Sequence, residues 1–208
     1  MRLYYGPGTC AMGIHLLLEE IGQPYEKVRL NFAKAEHKQA AYLAINPKAK
    51  VPALETDGHG VITELPAIAF YLAKTYPGAR LLPEEIIGQV RALELLEYAT
   101  ATVHMRGWTR IVKPAQFSAD GDPELVKKEG MAIFTAGLDL LARTLGDKPY
   151  ALGEFSIADA GLFILEQWAG RGNIQLPEKL AAHYDRMIER PAVQRMLEQE
   201  GLKAARHA

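Results

Sequence analysis

Cys10 is the only cysteine among 208 residues, and it stands where a thiol can do chemistry. Arg2-Leu3-Tyr4-Tyr5 reads as a short strand and Gly6-Pro7-Gly8-Thr9 as a turn. After Cys10, Ile14, Leu17, Leu18 and Ile21 recur at i, i+3, i+4 and i+7, the spacing of one helix face. Gly22 and Pro24 end that helix. A thiol at such a strand-to-helix turn faces unpaired N–H groups and the positive end of the helix dipole. That environment favours thiolate and predicts a lowered pKa. A thiolate there is a nucleophile, or a partner in disulfide exchange with a small thiol. The alternative is a buried cysteine that serves as a small hydrophobe. The strand–turn–helix position alone leaves both open.

The elements that must position Cys10 follow in quick alternation. Val28, Leu30 and Phe32 alternate with Lys27, Arg29 and Asn31, which predicts a strand. A polar stretch, Ala33 to Lys38, leads to a short helix through Tyr42 and Leu43, broken by Ile45-Asn46-Pro47-Lys48. Ala53-Leu54-Glu55-Thr56 and Val61-Ile62-Thr63, joined by Asp57-Gly58-His59-Gly60, read as a hairpin. A helix follows from about Leu65, with Pro66 in its first turn, where a missing N–H costs nothing. Strand, helix, strand, helix, strand, strand, helix predicts a small mixed sheet with helices on its faces, a thioredoxin-like arrangement.

Tyr76-Pro77-Gly78 and Leu82-Pro83 mark a composition break, and beyond Glu84 the pattern is helical. A long helix spans about Ile86 to Arg110, and Phe117 to Pro123, with Asp120-Gly121-Asp122-Pro123, is a loop. Phe134, Leu138, Leu141 and Leu145 lie on the next helix, closed by Gly146 and Pro149. Ser156-Ile157-Ala158-Asp159 is a helix start in which Asp replaces the Glu of a capping box. The helix behind it, Ile157 to Ala169, is apolar nearly all round and is expected to be a buried centre. Two helical stretches flank Pro191. The expected organisation is an α/β N-terminal domain over 1–78 with a mixed four-stranded sheet, a linker over 79–85 and an all-α domain over 86–208.

Composition narrows the function. A formal net charge of -1 leaves no electrostatic footprint for nucleic acid or an anionic membrane. No apolar run approaches the ~20 residues of a membrane span, and Met1 leads straight into a strand without a signal-peptide pattern. One cysteine excludes an internal disulfide framework and agrees with a reducing, cytoplasmic setting. The six histidines show no metal-ligand spacing such as H-E-x-x-H, so no metal is expected.

Four motifs carry a resemblance. Tyr5-Gly6-Pro7-Gly8-Thr9-Cys10, Asn46-Pro47-Lys48-Ala49-Lys50-Val51-Pro52-Ala53-Leu54, Thr63-Glu64 and Phe155-Ser156-Ile157-Ala158-Asp159, in this order, resemble the cytosolic glutathione transferases. Cys10, with His104 on the first long helix, is similar to the bacterial beta class. The resemblance covers essentially the whole chain. It implies glutathione as co-substrate, conjugation of apolar electrophiles and thiol transfer through Cys10, and a homodimer.

The resemblance also implies roles for single residues. Val51-Pro52 would be a cis peptide bond, where the bare sequence reads as a trans proline opening an edge strand. The backbone of Val51 would pair with the cysteinyl part of glutathione like an added strand. Glu64 and Leu65 would hold the γ-glutamyl end, the carboxylate on the ammonium and the Leu65 N–H on the carboxylate. Many relatives carry Ser or Thr where this chain has Leu65, so weaker glutathione binding is expected. Lys34, with Lys38 as fallback, would reach the glycyl carboxylate, unless it is simply a solvated lysine. His104 would approach the glutathione sulfur across the domain cleft as a donor. Met105 stands where relatives often have lysine, and Arg106 would point ~200° from His104 on an α-helix. Thr9 or Tyr5 could assist the sulfur instead, and Trp108 and Tyr4 could line the apolar pocket. Two other functions fit the same residues: a monothiol glutaredoxin-like oxidoreductase acting on disulfides, and a non-catalytic ligand carrier or regulator.

Overall fold

A computed structural model describes residues 1–118 and 121–206, so Ala119 and Asp120 of the expected loop lie outside the described residues. The chain divides into two compact units, Met1–Leu82 with Ile188–Ala204, and Pro83–Met187 with Ala205–Ala208.

The first unit is built on a four-stranded sheet in the order β2-β1-β3-β4, with β1 Arg2–Tyr5, β2 Glu26–Arg29, β3 Ala53–Thr56 and β4 Gly60–Thr63. β1 and β2 run parallel, with Tyr4 opposite Val28, so the chain must cross over between them, and α1 (Ala11–Ile21) supplies the crossover. β3 pairs antiparallel with both β1 and β4, placing Leu3 opposite Leu54 and Leu54 opposite Ile62. This is the expected mixed thioredoxin-like sheet. β2 is shorter than its alternating pattern suggests. It ends at Arg29, and Leu30 gives its N–H to Tyr5 before the chain turns away.

Alternation along the strands serves two layers. Tyr4 and Ala53 face one side, where they join Leu30 and Tyr42 of α2 (Ala40–Leu43), with Val51 and Ile45 packed at the margin. Leu3 and Leu54, fully buried, face the other. α3 (Leu65–Thr75) packs on α1 and buries Ile68, Ala69 and Leu72.

The last helix belongs to this unit. Named in chain order after α3, the second unit holds α4 to α8, and α9 (Pro191–Glu200) returns to pack on α1. Arg190 Nε lies 2.7 Å from Glu20 Oε1, and Arg195 Nε 2.7 Å from Glu19 Oε2. α9 also buries Val193 and Met196. The all-helical block expected over 86–208 therefore loses its last helix to the sheet-bearing unit. Helical periodicity says that a face is buried but not against what.

In the second unit the long helix runs as α4 (Ile86–Glu97), a stretch with π-type hydrogen bonding over Tyr98–Trp108, and α5 (Thr109–Val112). The ladder there is i→i+5, so the 100° step used to place Arg106 does not hold. α6 (Pro123–Leu145) starts at Asp122, whose carboxylate accepts the Glu124 N–H at 2.9 Å, and it packs on the π-type stretch. The approach is close: a Cβ on Gly107 would meet Phe134 backbone atoms at 3.0 Å. α7 (Ile157–Arg171) is buried from Ile157 through Ala169, as its all-round apolarity predicts. Its capping box is formed: the Ser156 side chain accepts from the first turn while Asp159 Oδ2 accepts the Ser156 N–H at 2.7 Å. α8 (Glu178–Ile188) completes the unit.

Candidate functional site

Within the first unit, three segments converge on Cys10. The first is the turn before it. Thr9 Oγ1 donates to the Gly6 carbonyl at 2.7 Å and accepts the Ala11 N–H at 3.3 Å. The Thr9 hydroxyl thus serves the turn and the helix start, which corrects the expectation that it could serve a sulfur. Tyr5 is a buried strand residue beside His15, with ring centroids 5.4 Å apart.

The second segment carries the proline. The Val51-Pro52 peptide bond is cis, as the resemblance implies. The loop before it is tied down locally: Asn46 Nδ2 and Tyr42 Oη both donate to the Lys50 carbonyl, at 2.8 and 2.6 Å, and Asn46 Oδ1 accepts the Lys48 N–H at 3.1 Å. The Cys10 thiol then donates to the Val51 carbonyl at 3.3 Å. That carbonyl was expected to be open for a ligand, and here it already has a donor.

The third segment is the end of β4. Glu64 takes a positive φ of 70° as it leads into α3. Its exposed carboxylate sits 2.7 Å from Lys48 Nζ, which also donates to Thr63 Oγ1 at 2.8 Å. An exposed ion pair contributes little to stability. Its consequence is orientation, because it aims a carboxylate beside the helix start. Lys48 lies inside the Asn46-Pro47-Lys48 motif, yet nothing in its local spacing assigns it this partner. Leu65 opens α3 with its side chain buried, 4% exposed.

The electrostatics overturn one expectation. Burial pushes the Cys10 thiol up to about 12; Glu64 pushes in the same direction, and the N–H groups of Cys10 and Ala11 and the charge of Lys50 pull only partly back. Cys10 is therefore neutral at pH 7, not a lowered-pKa thiolate. The helix N-terminus does favour the anion, but a dipole worth ~0.3–1 kcal/mol loses to desolvation of a charge. The residue as a whole is half-buried.

The remaining candidates are spread more widely. Lys34 and Lys38 are both exposed, and the Lys34 N–H is held by Asn31 Oδ1 at 3.1 Å. Tyr4 lies in the core, its hydroxyl donating to Glu55 Oε2 at 2.9 Å. In the second unit, His104 rests on the Trp168 ring at 4.7 Å between centroids, and Trp108 stacks on Trp168 at 5.5 Å. Met105 is exposed.

A thioredoxin-like unit with a cysteine at the first helix start, a cis-proline beside it and an acidic residue leading into α3 defines a class of thiol-handling proteins. Residues 1–74 match the glutathione S-transferase N-terminal domain. The chain is 36% identical over 208 residues to the glutathione S-transferase GstA of Escherichia coli O157:H7, covering 98% of this chain and 100% of that one. Among solved structures, a glutathione transferase homologue from Sulfitobacter with bound glutathione matches with a TM-score of 0.89 at 28% identity, covering 97% of this chain and 98% of the other. A bacterial beta-class glutathione S-transferase from Sphingomonas chungbukensis matches with a TM-score of 0.85 at 31% identity, over 98% and 100% of the two chains. This chain belongs to the glutathione S-transferase family.

Proposed function

We propose that this chain binds glutathione along Val51 and cis-Pro52 and transfers its sulfur to apolar electrophiles. One observation carries the reading: the Cys10 sulfur lies 3.3 Å from the Val51 carbonyl oxygen. The only thiol of the chain thus stands against the backbone that an extended peptide would pair with. Family membership and the glutathione in the Sulfitobacter relative support the tripeptide as that peptide.

In this reading the cysteinyl N–H of glutathione replaces the Cys10 thiol at the Val51 carbonyl. The freed S–H of Cys10, neutral at pH 7, then donates to the glutathione sulfur. Glu64, aimed by Lys48, takes the γ-glutamyl ammonium, and the Leu65 N–H takes the adjacent carboxylate. Lys34, or Lys38 in its place, takes the glycyl carboxylate. His104 keeps the donor role that the resemblance implies. Glutathione releases its thiol proton to solvent water, its sulfur attacks an electrophilic carbon, a C–S bond forms, and the leaving group departs with its electron pair. Thiol transfer is the secondary activity: the small fraction of Cys10 that ionises, which grows with pH, attacks oxidised glutathione, a mixed disulfide forms and one glutathione thiolate leaves.

The partners are glutathione and a small apolar electrophile or disulfide. A second copy of the chain is the proposed protein partner, because α4 exposes Ile86, Ile87 and Val90 by 72%, 61% and 48%. No helix among the described residues is long and apolar enough to cross a membrane. A cytoplasmic location is proposed from the single free thiol.

Retention on immobilised glutathione, release by free glutathione and conjugation of an apolar aryl halide test the reading together. Retention without turnover would make the protein a carrier. Loss of both activities in Cys10→Ala would make Cys10 essential to positioning or activating glutathione, and thiol transfer without any conjugation in the parent would make the protein a monothiol oxidoreductase.

A further inference from the structure

We infer that Glu200, at the end of the last helix, is a positioning residue for Cys10. Its carboxylate is buried, 3% exposed, and both oxygens are engaged within the first unit. Oε2 accepts the Gly8 N–H at 2.8 Å, and Oε1 lies 2.9 Å from His15 Nδ1. Gly8 precedes Cys10 by two residues and His15 follows it by five. One side chain, 192 residues from Gly8 in sequence, therefore grips the chain on both sides of the thiol.

The grip falls where the chain bends. Gly8 has φ of 71°, so its N–H marks the corner of the turn that delivers Thr9 and Cys10. His15 is wholly buried, and its other ring nitrogen lies 2.8 Å from Gln199 Oε1. Gln199 cannot turn freely, because Lys27 Nζ donates to that same oxygen and the Gln199 amide NH₂ donates to Glu19 Oε1 at 3.1 Å. The end of α9 therefore holds one side of the turn and one face of α1 as a single network. Glu200 is not placed to touch a substrate; it acts through Gly8 and His15.

Docking of α9 is a separate matter. Arg195 pairs with Glu19, which the Gln199 network also uses, but Arg190 pairs with Glu20 outside that network. The Arg190–Glu20 pair holds helix to helix, whereas Glu200 holds the turn. The two jobs can be separated by mutation at Arg190. What Glu200 supplies is reach more than charge. A glutamine at this position would accept the Gly8 N–H through its oxygen. Its NH₂ would donate to His15 Nδ1, with the ring proton on the nitrogen that faces Gln199. An aspartate keeps the charge but is one methylene short.

The inference rests on Cys10 as the working thiol, but its readout does not. The second-order labelling rate of Cys10 by a small neutral disulfide is measured in the full chain, with KM for glutathione, kcat and Tm. Glu200→Ala and Glu200→Asp should release the turn, raise the labelling rate at least about tenfold and lower kcat/KM by about ten- to a hundredfold. Glu200→Gln should stay within about threefold of the parent in both. Arg190→Ala should lower Tm and leave labelling unchanged. Labelling that moves equally in Arg190→Ala and Glu200→Ala overturns the proposal, as does Glu200→Gln behaving like Glu200→Ala. If Glu200→Ala does not fold, the Asp and Gln variants decide alone, and equal labelling in the two refutes the assignment. Should Cys10→Ala leave every activity intact, the role of Cys10 falls while the labelling rates still judge Glu200.

Discussion

Nδ1 of His183 stands 2.8 Å from Oε1 of Glu166, and neither side chain has any exposed surface. The other ring nitrogen lies 3.1 Å from Asp159 Oδ1, so the imidazole of α8 joins two carboxylates of α7. Burial disfavours charge on the ring, but Glu166 and Asp159 outweigh it and hold His183 up at about 10. Burial also raises Glu166.

Stability should therefore fall with rising pH. His183 has a folded pKa above its ordinary 6.5, so its contribution is complete below pH 6.5 and is lost as pH rises through about 10. Glu166, also raised, acts in the same direction. Urea unfolding midpoints at pH 6.5 and 9.5 should show this decline. In His183→Gln the midpoint at pH 6.5 should drop, because two carboxylates then share a buried site. A flat profile in the parent chain would remove the charged imidazole from this account.

Cys10 should react slowly at neutral pH and faster with every step upward, because its thiol is held up to about 12. Its rate with oxidised glutathione should still be climbing at pH 10. Cys10→Ala should abolish the mixed disulfide, since no other cysteine exists in the chain. Conjugation should survive within about tenfold, the loss of one hydrogen bond of ~1 kcal/mol. A rate that plateaus below pH 8 would restore the thiolate expected from the helix position.

Lys48→Ala should raise KM for glutathione severalfold and leave kcat unchanged. It frees Glu64 from its 2.7 Å contact without removing the carboxylate. Both groups are more than half exposed, so Tm should barely move. Steady-state kinetics with thermal melts separates these effects, and an unchanged KM would show that Glu64 needs no such support.

Leu65→Ser should act in two opposite ways. Deleting a buried leucine side chain, 4% exposed, destabilises by about 2–5 kcal/mol, so Tm should fall clearly. The new hydroxyl sits at the helix start beside Glu64, and a hydrogen bond to a charged group adds up to ~1.5–3 kcal/mol to binding. Calorimetry on the folded fraction should show tighter glutathione binding. A lower Tm with unchanged affinity would reject the proposed pose of the γ-glutamyl end.

Local chemistry carried most of the first unit and the caps. The i, i+3, i+4, i+7 face of α1, the short Gly-rich turn between β3 and β4, Pro66 in the first turn of α3 and Ser156 with Asp159 each act over a few residues, so each was legible from the chain alone. What the three-dimensional packing decided lies further apart. Whether Cys10 is thiol or thiolate depends on how much protein surrounds it, and burial outweighed the helix start. Arg190 with Glu20 draws α9 to the sheet-bearing unit across 170 residues. Glu200 meets Gly8 across 192 residues, and Lys48 meets Glu64 across 16. Periodicity and capping arise from backbone geometry within a turn or two of helix. Desolvation and distant hydrogen bonds exist only once the chain has closed on itself, so the sequence determined the elements and the tertiary structure determined the charge state and the positioning of the thiol.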